Sequence, residues 1–127
     1  GQLAIEKDKV VNIEEEKPPA PKVELMSEPF VSVYPDHEEI TGIVKNSGKT
    51  RADFVRIIAS LWTAETELAN RDSAFAQGSV QEYATGVITD TAIEPDATAS
   101  FTITVLLSEG SSAVEYRTYN IHWSQME

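Results

Sequence analysis

Cysteine is absent from this chain of 127 residues, which excludes a disulfide framework, a thiol nucleophile and any thiolate metal site. A reducing cytoplasm suits such a chain, but so do many exported domains, and the absence assigns no compartment. No stretch approaches the run of about 20 apolar residues that a membrane helix requires. Basic charge is scarce as well. Ten Lys and Arg face 21 Asp and Glu, for a formal net charge of −11. A surface of that sign repels nucleic-acid phosphates and anionic headgroups, and no basic stripe offsets it, so no nucleic-acid partner is expected. None of the four asparagines opens a glycosylation sequon; Asn46, for example, is followed by Ser47 and Gly48. No export signal is visible, and Gly1 reads as a residue left by tag cleavage, so that a native signal can lie upstream.

What is present has the balance of a soluble globular protein, with 41% hydrophobic and 24% charged residues in a length suited to one core. The first 26 residues stand apart. They mix charge with Pro18, Pro19 and Pro21, which favour extended polyproline geometry and cannot continue a helix. Residues 1–26 are expected to form an acidic, proline-containing tether, or an added strand if apolar residues such as Ile5, Val10 and Val11 dock on the domain. Residues 27–127 are expected to form that domain.

From Met26 onward, short apolar runs alternate with turn residues. The runs are PFVSVY (29–34), EEITGIVKN (38–46), ADFVRIIASLWTA (52–64), ELANRDSAFAQG (67–78), ATGVITDTAI (84–93), TASFTITVLL (98–107) and AVEYRTYNIHW (113–123). In the sixth, Phe101, Ile103, Val105 and Leu107 share one face while Thr102 and Thr104 point the other way. Seven β-type runs at roughly 10-residue spacing predict an all-β fold, a sandwich of two antiparallel sheets. The third run is ambiguous. Phe54, Val55, Ile58, Leu61 and Trp62 fit a helical face, whereas Val55, Ile57, Ala59 and Leu61 form an apolar strand face.

That ambiguity matters for GIVKNSGKT, residues 42–50, which ends like a phosphate-binding loop. The loop motif needs four residues between its glycines and a helix after it. Five residues separate Gly42 from Gly48, and Ile43, a β-branched residue, occupies the position of the first glycine. A strand and turn fit better. Asn46 can bond the backbone of the turn it opens and Gly48 can supply a positive φ, with Lys49 and Thr50 in a solvent-facing turn.

Read as strand, turn and strand, TGIVKNSGKTRADFVRIIASLWTAE resembles the FxLYD family of immunoglobulin-like β-sandwich domains. Gly42, Val44, Asn46 and Gly48 match its Gly-x-Val-x-Asn-x-Gly pattern. At the five positions that name the family stand Ala59, Ser60, Leu61, Trp62 and Thr63, so leucine is kept and tryptophan stands for tyrosine. Ala59 departs from phenylalanine and Thr63 from aspartate. Pro95-Asp96 and Phe101 echo a later Pro-Gly-x-x-x-x-Phe feature. The likeness covers roughly residues 28–124 and implies an immunoglobulin-like sandwich of about seven strands in an exported or membrane-attached protein, such as a lipoprotein. Val44, Leu61 and Phe101 would then be core positions, and Phe54 or Trp123 would fill the space left at Ala59. The resemblance implies no catalytic residues and no cofactor.

The remaining side chains offer little chemistry. Asp36, His37, Glu38 and Glu39 form the one cluster of histidine with carboxylates, but neighbours on a strand point to opposite faces, so a solvated turn is expected there rather than a metal site. Ser108, Ser111 and Ser112 share a loop with no nucleophile-elbow pattern, and His37 and His122 are the only histidine bases. The better functional candidates are aromatic: Trp62, Tyr116, Tyr119 and Trp123 lie in strands where some must face outward. Tyr119, Ile121 and Trp123 share one strand face and make the best patch if that face is open, the alternative being that the aromatics cap the ends of the sandwich core. Trp62, Tyr119 and Trp123 form the candidate interaction surface. The expected role is that of a non-enzymatic, extracytoplasmic binding or spacer module that meets an unknown protein partner through strand edges and aromatics, with its acidity favouring a monomer. The alternative is a protease inhibitor resembling the immunoglobulin-like intracellular proteinase inhibitors, with acidic loops occluding an active site.

Overall fold

A computed structural model describes residues 18–64, 66–108 and 113–125. Every regular element among them is a strand: β1 (Val23–Leu25), β2 (Phe30–Val33), β3 (His37–Asn46), β4 (Asp53–Trp62), β5 (Leu68–Phe75), β6 (Ser79–Glu82), β7 (Ile88–Ala92), β8 (Thr98–Leu106) and β9 (Tyr116–Ser124). The seven apolar runs become β2 to β5 and β7 to β9. The two further strands, β1 and β6, are three and four residues long, too short for a period to be read in them.

All pairings are antiparallel. In one sheet β1 and β2 share the same side of β3, β1 against its C-terminal end and β2 against its N-terminal half, while β8 runs along the other side from Lys45–Thr98 to His37–Leu106. The second sheet has the order β5-β4-β9. β6 and β7 form a hairpin of their own. A bridge between Gln77 and Ser100 brings the end of β5 to β8, and one between Ala52 and Ile93 ties the start of β4 to the end of β7.

Period-two alternation decides the ambiguous run. Val55, Ile57, Ala59 and Leu61 on β4 are fully buried, facing Ile40 and Val44 of β3 and Phe101, Ile103 and Val105 of β8 in one core. Each of these side chains other than Ala59 contributes about 1.5–3 kcal/mol on burial. A β-branched run that buries one whole strand face has no reason to form a helix here, so the segment after Gly48 lacks the helix that a phosphate loop needs. Tyr119, opposite Ala59 in the register, packs against the core beside it, as does Trp123, whereas Phe54 turns away to stack on Tyr83 with ring centroids 4.8 Å apart.

The glycine and asparagine positions of residues 42–48 have distinct jobs. A Cβ on Gly42 would stand 2.7 Å from the Phe101 ring. Asn46 is fully buried: its Oδ1 accepts from the N–H groups of Lys22 and Gly48, and its Nδ2 donates to the carbonyls of Thr50 and Ile93. Gly48 does not adopt the positive φ expected of it; among the described glycines only Gly86 does. Gly48 is needed for space instead, since a Cβ would lie 2.3 Å from the carbonyl oxygen of Ala20. The segment from Ala20 to Leu25 thereby joins the sheet, with Lys49 N–H donating to the Ala20 carbonyl and Val23 buried. Ile5, Val10 and Val11 lie outside the described residues.

Candidate functional site

The face of β4 opposite the core carries Arg56, Ile58, Ser60 and Trp62. Its neighbours in register complete a surface across the second sheet. Phe75, Arg56 and His122 form one row, Ser73, Ile58 and Asn120 the next, then Arg71, Ser60 and Thr118. Trp62 lies opposite Tyr116 on β9 and, beyond a bulge, opposite Leu68 on β5. Strand alternation thus gathers Phe75, Ile58, Trp62, Leu68 and Tyr116 on one outward surface, with Phe75 51% exposed, Leu68 45% and Tyr116 40%. Trp62 is half-buried: its ring stacks on Tyr116 at 6.1 Å and its indole N–H donates to the Thr118 hydroxyl.

The charge of this surface is opposite in sign to that of the chain. Arg56, Arg71 and His122 project from its rows, and no Asp or Glu occupies any of them. Arg71 donates to the Ser60 hydroxyl. Among the described residues neither Arg56 nor Arg71 joins an ion pair, whereas Arg51 and Arg117 are matched to Asp53 and Glu38. At the Ser124 end a groove of about 350 Å³ opens between Phe54, Arg56, Phe75, His122, Trp123 and Ser124. It exists because β4 bulges between Asp53 and Arg56, with Phe54 at a φ of 52°. Such a bulge re-aims side chains at a strand end. Three aromatic rings, a guanidinium and an imidazole around one open groove suit an anionic group attached to an apolar body.

Comparison with family models, curated proteins and solved structures finds no match. The site is therefore read from its own geometry.

The structure divides the aromatic residues singled out in the sequence. Trp62 belongs to the outward surface. Tyr119, Ile121 and Trp123 do share a face of β9, but that face packs against the core, and burial pushes the Tyr119 phenol above its usual range. The open patch expected on them instead belongs to the alternate residues of the same strand, Tyr116, Thr118, Asn120 and His122, because the Ile57–Ile121 and Ala59–Tyr119 pairs turn inward.

The cluster at residues 36–39 separates too. Asp36 and His37 bond each other at 2.6 Å, and His37 stacks on Tyr34. Glu38 is not in a solvated turn: it is buried in β3 and takes two 2.7 Å hydrogen bonds from Arg117 of β9. His37 and His122 project from the outer faces of opposite sheets and do not converge. Among the described residues no group of three or more His, Asp and Glu side chains could hold a metal ion, and no helix is long and apolar enough to cross a membrane. Ser111 and Ser112 lie outside the described residues.

Sequence reasoning missed Arg56, Arg71, Phe75 and His122 as members of one surface. They come from three separate runs, Arg71 and Phe75 sharing one, and only the cross-strand register brings them together. The signal that was available is parity, since Arg56 alternates with Val55 and Ile57 and His122 with Ile121 and Trp123.

Proposed function

We propose that the protein is a non-catalytic binding module that meets a protein partner through the outer face of the β5-β4-β9 sheet. The observation that carries this is the pairing of exposed aromatics with arginines on a surface without carboxylates, in a chain of 21 acidic residues. Aromatic and arginine side chains supply most interface anchors, and a patch whose charge opposes that of its own chain has no role in solubility. An FxLYD-type, immunoglobulin-like architecture and an extracytoplasmic location belong to the same proposal. Support comes from the structural roles of Gly42, Val44, Asn46 and Gly48, and from Asp96. That residue stands where the family pattern has glycine and holds a φ of 66°, a conformation that glycine adopts most readily and aspartate tolerates. The segment before β1 would then hold the module away from an upstream anchor.

The test is a pull-down from lysate and membrane fractions of the native organism, with the wild-type domain and a Trp62→Ser, Phe75→Ser variant immobilised in parallel. A stoichiometric protein retained by the wild type and lost by the variant is the expected result. A protein retained equally by both places the binding surface elsewhere.

A further inference from the structure

The strand beside the outer face narrows the kind of partner it fits. β9 ends the β5-β4-β9 order, and among the described residues it pairs with β4 alone. It runs nine residues without a proline. Its one formal charge, Arg117, turns inward to Glu38, so it does not screen the edge. Natural sheets guard edges of this length with charge, proline or bulges, and this one carries none on its outward-facing half.

We propose that β9 accepts an extended acidic segment of a partner protein as an added strand, whose carboxylates reach His122 and Arg56. This rests on the binding-module reading and names the chemistry of its partner. An added strand would lie about 4.8 Å from β9 and about 10 Å from β4. His122 is then an immediate cross-strand neighbour, and Arg56, which faces His122 across the β4–β9 register, reaches over it toward a carboxylate. Alternate residues of the added strand would follow the outer face, which specifies a pattern of acidic residues at every second position. The net charge of −11 decides against a polyanion such as nucleic acid. The chain repels an extended line of phosphates but attracts a short acidic segment at one local patch. A nucleic acid also has no use for an unpaired peptide edge.

The experiment is a selection of random peptides on the immobilised wild-type domain, followed by synthesis of the enriched peptide and measurement of its affinity by fluorescence anisotropy. Enriched peptides should place Asp or Glu at alternate positions. Their affinity should fall about tenfold or more for Arg56→Glu, the equivalent of one charge-assisted hydrogen bond. It should also fall when alternate backbone nitrogens of the peptide are methylated, which removes the ladder without touching its side chains. Circular dichroism checks whether Arg56→Glu folds, and Arg56→Gln serves as the second variant, with a smaller loss expected.

Peptides without acidic bias, or none enriched at all, overturn the acidic-strand proposal. If those unbiased peptides are still lost on Trp62→Ser, Phe75→Ser, the binding surface itself stands. Oligothymidylate bound by the wild type and released by Arg56→Glu assigns the face to nucleic acid and also overturns the proposal. So does concentration-dependent dimerisation that Arg56→Glu leaves intact, because it gives the β9 edge to a second copy of the chain.

Discussion

Asn46 uses both ends of its amide inside the protein, accepting two backbone N–H groups and donating to two backbone carbonyls. The four partners come from the segment before β1, the β3–β4 turn and the end of β7, so one side chain fastens three stretches of backbone. Replacing it with alanine strands these groups away from water, and each such group costs about 1–3 kcal/mol. Asn46→Ala should therefore lower the unfolding free energy by about 3 kcal/mol or more, read from the urea midpoint at constant slope. Gly48→Ala should act more locally. Its Cβ meets Ala20 and Lys22 backbone atoms at 2.3 and 2.5 Å, so protection of the Lys22 and Lys49 amides from hydrogen exchange should drop with the global stability. Unchanged protection would mean that the segment before β1 is held by something else. This part of the protein was legible in its sequence, because asparagine and glycine two apart after an apolar run have few other uses. The cause of the glycine was not. A close approach from residues 20–22 is a tertiary fact, and positive φ is only the commoner of two reasons for glycine at a turn.

The hairpin of β6 and β7 shows why β6 escapes a sequence reading while β7 is found only as a loosely bounded run. Three of the four residues of β6 are exposed, and neither strand buries a full face, so neither carries a period-two signal. A polar clasp holds the hairpin to the body beside the Ala52–Ile93 bridge. The Tyr83 hydroxyl, in the turn that follows β6, donates to the fully buried Asp53 at 2.6 Å, Arg51 donates to the same oxygen at 2.7 Å, and the Phe54 ring covers Tyr83. Burial first, and then the bond to Asp53, push the Tyr83 phenol up to about 12. The sign follows from linkage. The folded value lies above the unfolded value of about 10, so this contribution to stability is complete below pH 10 and disappears as pH rises toward 12. Tyr83→Phe keeps the ring contact and removes the proton. It should cost about 1.5–3 kcal/mol at pH 7, as expected for a hydrogen bond to a charged group, and should flatten the loss of stability between pH 10 and 12 relative to wild type. Equal slopes in the two proteins over that interval would show that the clasp does not control alkaline unfolding.

At the scale of the molecule, the two sheets are joined by a core that the sequence announced and by an ion pair that it half concealed. Glu38 alternates with Ile40 and Val44, so the parity of β3 alone assigns it to the inner face. Its partner Arg117 lies 79 residues away on the other sheet, and nothing local points to it. The same limit applied to the outer surface, where Arg56, Arg71 and His122 come together only through cross-strand register. The Glu38–Arg117 pair is bidentate, with the carboxylate almost wholly buried and the guanidinium about one quarter exposed. Desolvation offsets much of the attraction in such a pair, so its worth lies less in net stability than in the penalty for losing one member. Arg117→Met leaves a buried carboxylate without its cation and should cost about 3 kcal/mol. Glu38→Leu, with Arg117 able to reach solvent from its exposed side, should cost less. The double substitution should recover most of the Arg117→Met loss, because two apolar side chains then meet between the sheets. Urea unfolding of the four proteins gives the coupling directly. Single losses that simply add in the double variant would mean that the pair couples the sheets weakly, leaving the apolar core to hold β3 against β9.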